Sequence, residues 1–243
     1  MSRYEQGPGG GFGGGRHISL TMPDLRGTIT LWIMGICGGV YVVQMLLDQA
    51  GLVSAGTSTL VLGLSRVGLS KGWIWQLVTS PFLHSNVAHL VFNMVTLAFL
   101  GVDIERWLGR KRYIVFSCCC ALAGSAGFLA LTGPRAVGVG YSGVLYGILV
   151  AAAMLYPNRT ILIFWLFPMK MKWAMALLGL MALFAALEPN QNGIGHAAHL
   201  FGAVAGYAFI KFMSRPRARR NPPSDVNALL KKKLPKLKIP KKL

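Results

Sequence analysis

Residues 28–47 carry no charged side chain, and further apolar runs follow along the chain. Twenty helical residues span about 30 Å, the hydrocarbon thickness of a bilayer. Backbone polar groups at that depth must be satisfied within the segment, and runs this long select helices over barrel strands. The composition agrees. Hydrophobic residues make up 53% of the 243, and charged ones 13%, where a soluble domain carries about 25%. Seven acids are present: Glu5, Asp24, Asp48, Asp103, Glu105, Glu188 and Asp225. The fold class expected is all-α, a polytopic membrane protein.

The apolar runs predict six spans, at 28–47, 88–108, 113–131, 142–156, 173–187 and 195–213. Residues 1–27 read as a disordered glycine-rich tail and 214–243 as a basic tail, leaving 28–213 as the membrane domain. The connection 52–86 is long and apolar but broken by Gly63, Gly68, Gly72 and Pro81. Its Trp73 and Trp75 suit a membrane interface, so this first loop is expected to lie partly in the outer leaflet. Residues 160–172, interrupted by Pro168, read as an interfacial connection. Cys37 and Cys118-Cys119-Cys120 fall inside apolar runs and read as small packing residues.

The fourth span is short. Its fifteen residues make about 22 Å of helix, less than the bilayer core. If its far end reaches the opposite face, Ser142 must begin below the surface. Irregular backbone at that depth persists only where protein buries it or a wet cavity meets it, so length alone implies a submerged, hydrated pocket. Arg106, Arg110, Lys111, Arg112, Arg159, Lys170 and Lys172 fall in two connectors on one side, while the facing loops hold Arg66, Lys71 and Arg135. The positive-inside rule then puts both termini in the cytoplasm and Ser142 toward the outer face. Much of the net charge of +18 lies in the C-terminal tail. This reads as attraction to anionic lipid, about 1 kcal/mol per charge near the surface, and no nucleic-acid partner is expected.

Ser142 stands among glycines at the head of an apolar helix, in Gly138-Val139-Gly140-Tyr141-Ser142-Gly143. A nucleophile needs thin backbone on both sides so that a substrate carbonyl can approach. His199, His89 and Asn93 fall at the same depth, the last two at i and i+4 on one helix face. Polar groups inside spans are functional candidates. Gly143 and Gly147 on span four, and Gly202 and Gly206 on span six, form small-residue ridges that let two helices approach closely. That approach would bring the Ser142 hydroxyl to the His199 imidazole, the geometry of nucleophile and base. Asp103 and Glu105 lie about 15 Å beyond Asn93 along the helix and cannot orient His199; Glu188 is the one credible third member. The reading is a Ser142–His199 dyad, with His89, Asn93 and the Ser142 amide as oxyanion donors. Tyr146, one turn on from Ser142, reads equally as a support beneath His199 or as core. His84 and His196 read as loop or water-facing residues.

Four segments together resemble the rhomboid intramembrane serine proteases: Gly140-Tyr141-Ser142-Gly143; His89-Leu90-Val91-Phe92-Asn93; Ala198-His199-Leu200-Phe201-Gly202-Ala203-Val204-Ala205-Gly206; and Glu105 with Gly109. The resemblance implies a six-helix rhomboid bundle that cuts transmembrane segments of other membrane proteins near their ends, after small residues. It assigns Ser142 as nucleophile, His199 as general base, and His89 and Asn93 as oxyanion stabilisers, with no metal and no cofactor. A prokaryotic plasma membrane is the expected location. One position departs: the family often has Trp-Arg in the first loop, where this chain has Trp75-Gln76. Two other functions compete with proteolysis. A catalytically inactive relative that binds transmembrane segments is disfavoured because both Ser142 and His199 are retained. A transporter is disfavoured by the lack of an internal repeat.

Overall fold

The computed structural model describes residues 24–51, 54, 56–163, 167–187 and 195–214. The expectations for residues 1–23, for the 188–194 turn with Glu188, and for the basic tail beyond 214 lie outside the described residues.

The chain is a helical membrane bundle. Helix α1 is Ile29–Gln49. The first loop holds three short helices, α2 Thr57–Leu62, α3 Arg66–Ser70 and α4 Gln76–Thr79, and then a 3-10 turn at Ser80–Phe82. Helix α5, Val87–Thr96, runs through a π-turn at Leu97–Gly101 into α6, Val102–Leu108. Next come α7 Arg110–Leu131 and α8 Ser142–Leu155, a hairpin of β1 Thr160–Ile163 and β2 Phe167–Lys170, then α9 Met171–Leu187 and α10 His196–Met213. The continuous segments Ile29–Gln49, Val87–Leu108 and Arg110–Leu131 are long and apolar enough to cross a bilayer.

The structure corrects three features of the sequence reading. Span three starts at Arg110, so the basic connector is itself helical and only Gly109 separates α6 from α7. Gly109 has φ +77°, a turn that favours glycine. The 160–172 connection is an antiparallel ribbon, with Leu162 opposite Pro168. Its Thr-Ile-Leu-Ile run favours strand, and a two-stranded ribbon tolerates proline because both strands are edges. Cys118 and Cys119 are exposed on the bundle, while Cys37 and Cys120 are buried as expected.

Helix α8 is central. Gly143, Val144, Leu145, Gly147, Ile148, Leu149, Ala151 and Ala152 are all buried, and the partly exposed Ser142, Tyr146, Val150 and Ala153 share the one remaining face. Lipid is as apolar as leucine, so close van der Waals contact, rather than exclusion of water, draws helices together here. Helix α10 packs along α8 and α7. A Cβ on Gly202 would lie 2.0 Å from the Gly143 carbonyl oxygen, and one on Gly206 would lie 2.6 Å from the Gly147 Cα. The two glycine ridges read from the sequence therefore face each other. A Cβ on Gly147 would also meet the Cys120 sulfur at 2.5 Å.

The other end of the bundle is tied by charge. Glu105 is buried, and its carboxylate accepts from the Ile29 amide at 2.8 Å, the Thr30 amide at 2.9 Å and the Thr30 hydroxyl at 2.8 Å. An acid is favourable at a helix N-terminus because it meets unpaired N–H groups and the positive end of the dipole. Arg159 pairs with Asp103, and Arg106 and Arg110 donate to the carbonyls of Asp24 and Gly27. The basic connectors thus gather at one end.

The first loop is anchored by the residue that departs from the family pattern. Gln76 is fully buried. Its Oε1 accepts from the Ser65 amide at 3.0 Å, and its Nε2 donates to the Leu60 and Val61 carbonyls at 3.1 and 3.2 Å. Trp75 Nε1 also donates to Val61. A neutral amide therefore secures the loop. The loop in turn holds the strand-like lead into α8: Leu64 and Gly138 exchange two backbone hydrogen bonds of 2.8 Å, and Gly140 donates to the Ser80 carbonyl at 2.9 Å.

Candidate active site

Ser142 is the first residue of α8. Its amide is one of the leading N–H groups that have no intrahelical acceptor, so it points out of the helix end. Ser142 Oγ lies 2.8 Å from His199 Nε2, across two helices and 57 positions of sequence. A hydroxyl at this distance can pass its proton to a neutral imidazole. The ring is held from one side: the Tyr146 ring stacks on it with centroids 4.3 Å apart and planes 6° from parallel. Of the two readings of Tyr146 left open by the sequence, the structure selects the support beneath His199. The other ring nitrogen, Nδ1 of His199, has no hydrogen-bond partner among the described residues. Asp103 and Glu105 are engaged at the far end of the bundle.

Gly140 brings His89 and Asn93 to the serine. It has φ +111°, a region that side chains rarely adopt. A Cβ there would stand 2.6 Å from Cε1 and 2.8 Å from Nε2 of His89, and 3.6 Å from Nδ2 of Asn93. The missing side chain is thus the space in which these polar groups approach the turn before Ser142. His89 Nδ1 is 3.2 Å from the Ser85 hydroxyl, which leaves Nε2 on the Gly140 side. Helix α5 starts cleanly because Asn86 caps it, accepting from the His89 amide at 2.8 Å.

A cavity of about 210 Å³ adjoins Ser142, bordered by Ser80, Ser85, Ser125, Phe128, Gly140 and Ala198 among others. Water occupies about 30 Å³ per molecule in the liquid, so the space admits several. Four serine hydroxyls on its wall, Ser142 among them, give such waters partners.

Two further histidines stand close to this constellation. His84, read as loop or water-facing, is 3% exposed. It sits in the turn before α5, and its Nε2 is 2.9 Å from Asn93 Nδ2. Burial pushes its pKa down to about 4, helped by nearby His89 and opposed by the Phe82 carbonyl. No helical spacing links positions 84 and 93, because the chain turns at Asn86 between them; the clue lay in the density of polar residues from 84 to 93. His196 opens α10, half-buried, edge-on to His199 with centroids 5.7 Å apart.

Comparison with known proteins points one way. A family model described as "Rhomboid domain" matches residues 71–216. The chain is 28% identical over 204 residues to the rhomboid protease AarA of Providencia stuartii, covering 74% of this chain and 69% of that protein. It is 26% identical over 129 residues to the rhomboid protease GlpG of Yersinia enterocolitica, covering 53% of this chain and 44% of that one. RHOMBOID-like protein 12, mitochondrial, of Arabidopsis thaliana is 29% identical over 167 residues, covering 61% of this chain and 49% of its own length.

Proposed function

Since the chain is an integral membrane protein that belongs to the rhomboid family, we propose that it is an intramembrane serine endopeptidase working through a Ser142–His199 dyad. The observation that carries this reading is the 2.8 Å contact between Ser142 Oγ and His199 Nε2 at the edge of a cavity.

The chemistry follows from the geometry. His199 Nε2 takes the Ser142 proton as Oγ attacks the scissile carbonyl carbon. Charge moves onto the carbonyl oxygen, which enters the space over Gly140. There the Ser142 amide, His89 Nε2–H and Asn93 Nδ2–H donate to it. The intermediate collapses, and His199 returns the proton to the leaving amine, freeing one half of the substrate. The other half stays as an ester on Ser142. A water from the cavity, deprotonated by His199, attacks that ester; the bond from carbonyl carbon to Oγ breaks, His199 returns the proton to Oγ, and the second half leaves as a carboxylic acid. Tyr146 keeps the imidazole plane in place through both halves of the reaction.

The substrates proposed are transmembrane segments of other membrane proteins, cut near their ends after small residues. A locally unwound segment is needed because a helical backbone hides its carbonyls. The orientation proposed has both termini cytoplasmic and Ser142 toward the outer face of a plasma membrane, with the basic tail on anionic lipid.

The test is cleavage of a reporter transmembrane substrate in liposomes. Ser142→Ala and His199→Ala are each expected to abolish cleavage while the purified variants unfold at the wild-type temperature. Wild-type cleavage by Ser142→Ala refutes the proposal.

A further inference from the structure

We propose that His84 is a positioning residue for the oxyanion site, fixing which end of the Asn93 amide faces Gly140 and the reacting carbonyl. The inference rests on the protease reading above. An asparagine amide has two ends of nearly equal shape and opposite polarity. With Nδ2 toward Gly140, it offers hydrogens to a developing oxyanion; reversed, it offers lone pairs that repel one. The asparagine itself does not choose between them, so a neighbour must.

His84 is that neighbour. Its Nε2 lies 2.9 Å from Asn93 Nδ2, and both side chains are buried, at 3% and 5% exposure. Nδ2 carries two hydrogens. One is donated to His84 Nε2, and the second remains for the substrate oxygen on the Gly140 side, where a Cβ would be 3.6 Å from Nδ2. This arrangement requires the His84 proton to sit on Nδ1, leaving Nε2 as acceptor. Nδ1 has no hydrogen-bond partner among the described residues, so nothing there competes for that proton. The alternative tautomer would turn a donor toward Asn93, reversing the amide. Burial keeps the ring neutral at ordinary pH, so Nε2 retains its lone pair. The His84 ring also packs edge-on against His89, with centroids 5.1 Å apart, so its position is shared with the second proposed donor.

A double-mutant cycle separates positioning from bulk structure. His84→Phe keeps an aromatic ring but loses the acceptor; His84→Gln restores an acceptor oxygen. His84→Phe is expected to lower kcat about 10- to 100-fold with KM unchanged, a loss no greater than that of removing one oxyanion donor. His84→Gln should recover most of it. Asn93→Ala should lower kcat at least as far, and adding His84→Phe to Asn93→Ala should cost nothing more. Multiplying losses in the double variant, an effect confined to KM, equal damage from Phe and Gln, or failure of both variants to fold each overturns the proposal. Failure of the protease reading itself looks different: wild type does not cleave, or Ser142→Ala cleaves as well as wild type.

Discussion

At Gly140 a single missing methyl group decides whether three polar groups can share one point. With φ +111° and His89 Nε2 2.8 Å from any added Cβ, Gly140→Ala must strain the turn and displace the imidazole. We expect kcat to fall about 100-fold, the range for a lost oxyanion donor, with substrate binding little changed, as steady-state kinetics would show. His84 gives a second prediction. An unfolded histidine takes up its proton near pH 6.5, whereas buried His84 resists until about 4. The unfolded state therefore binds more protons between these values, and stability falls as pH drops through that window. Thermal unfolding as a function of pH should show a shallower acid slope in His84→Phe than in wild type; equal slopes contradict the assignment. The serine, the two oxyanion candidates and His199 were legible in the sequence because each stands out as polar within an apolar run. His84 was not, because a turn between helices has no periodicity to carry its contact with Asn93.

Helices meet through surfaces, and here the decisive surface is the ridge of Gly143 and Gly147 against Gly202 and Gly206. It could be read from spacing alone, since four-residue intervals bring small residues to one face. The Ser142–His199 contact depends on it. Gly206→Leu is expected to push α10 off α8, lowering thermal stability by roughly 1–3 kcal/mol as an overpacking change and abolishing cleavage even though no site residue is altered. Unchanged activity in that variant would show that the ridge does not set the dyad distance. The first loop was less legible. Its glycines and proline announced breaks, but its anchor is a long-range pattern of amide-to-carbonyl bonds centred on Gln76. Gln76→Ala leaves the buried Ser65 amide without its acceptor, a loss of about 1–3 kcal/mol if unmet, and frees the part-buried Leu60 carbonyl while Val61 keeps Trp75, so the unfolding temperature in detergent should fall. The β1–β2 hairpin was hidden because Pro168 suggests interruption, and only the pairing partner Leu162 shows that an edge proline is harmless.

Across the whole molecule, the two ends of the bundle have different chemistry. One end is held by the Arg159–Asp103 ion pair and by the Glu105 carboxylate at the start of α1. The other holds histidines, serines and a cavity, with few fixed charges. Span lengths and the distribution of lysine and arginine made this division readable before any coordinates, because bilayer thickness and the positive-inside bias act on the chain as a whole. Ser142 is proposed to be a nucleophile because His199 makes it one. The most direct measurement is mass-spectrometric mapping of the adduct formed when the membrane-embedded protein meets a fluorophosphonate. One adduct is expected, on Ser142, formed at least ~100-fold more slowly in His199→Ala, in line with the roughly 10²–10⁴ contribution of a general base. Labelling of another residue, or of Ser142 at an unchanged rate without His199, contradicts it.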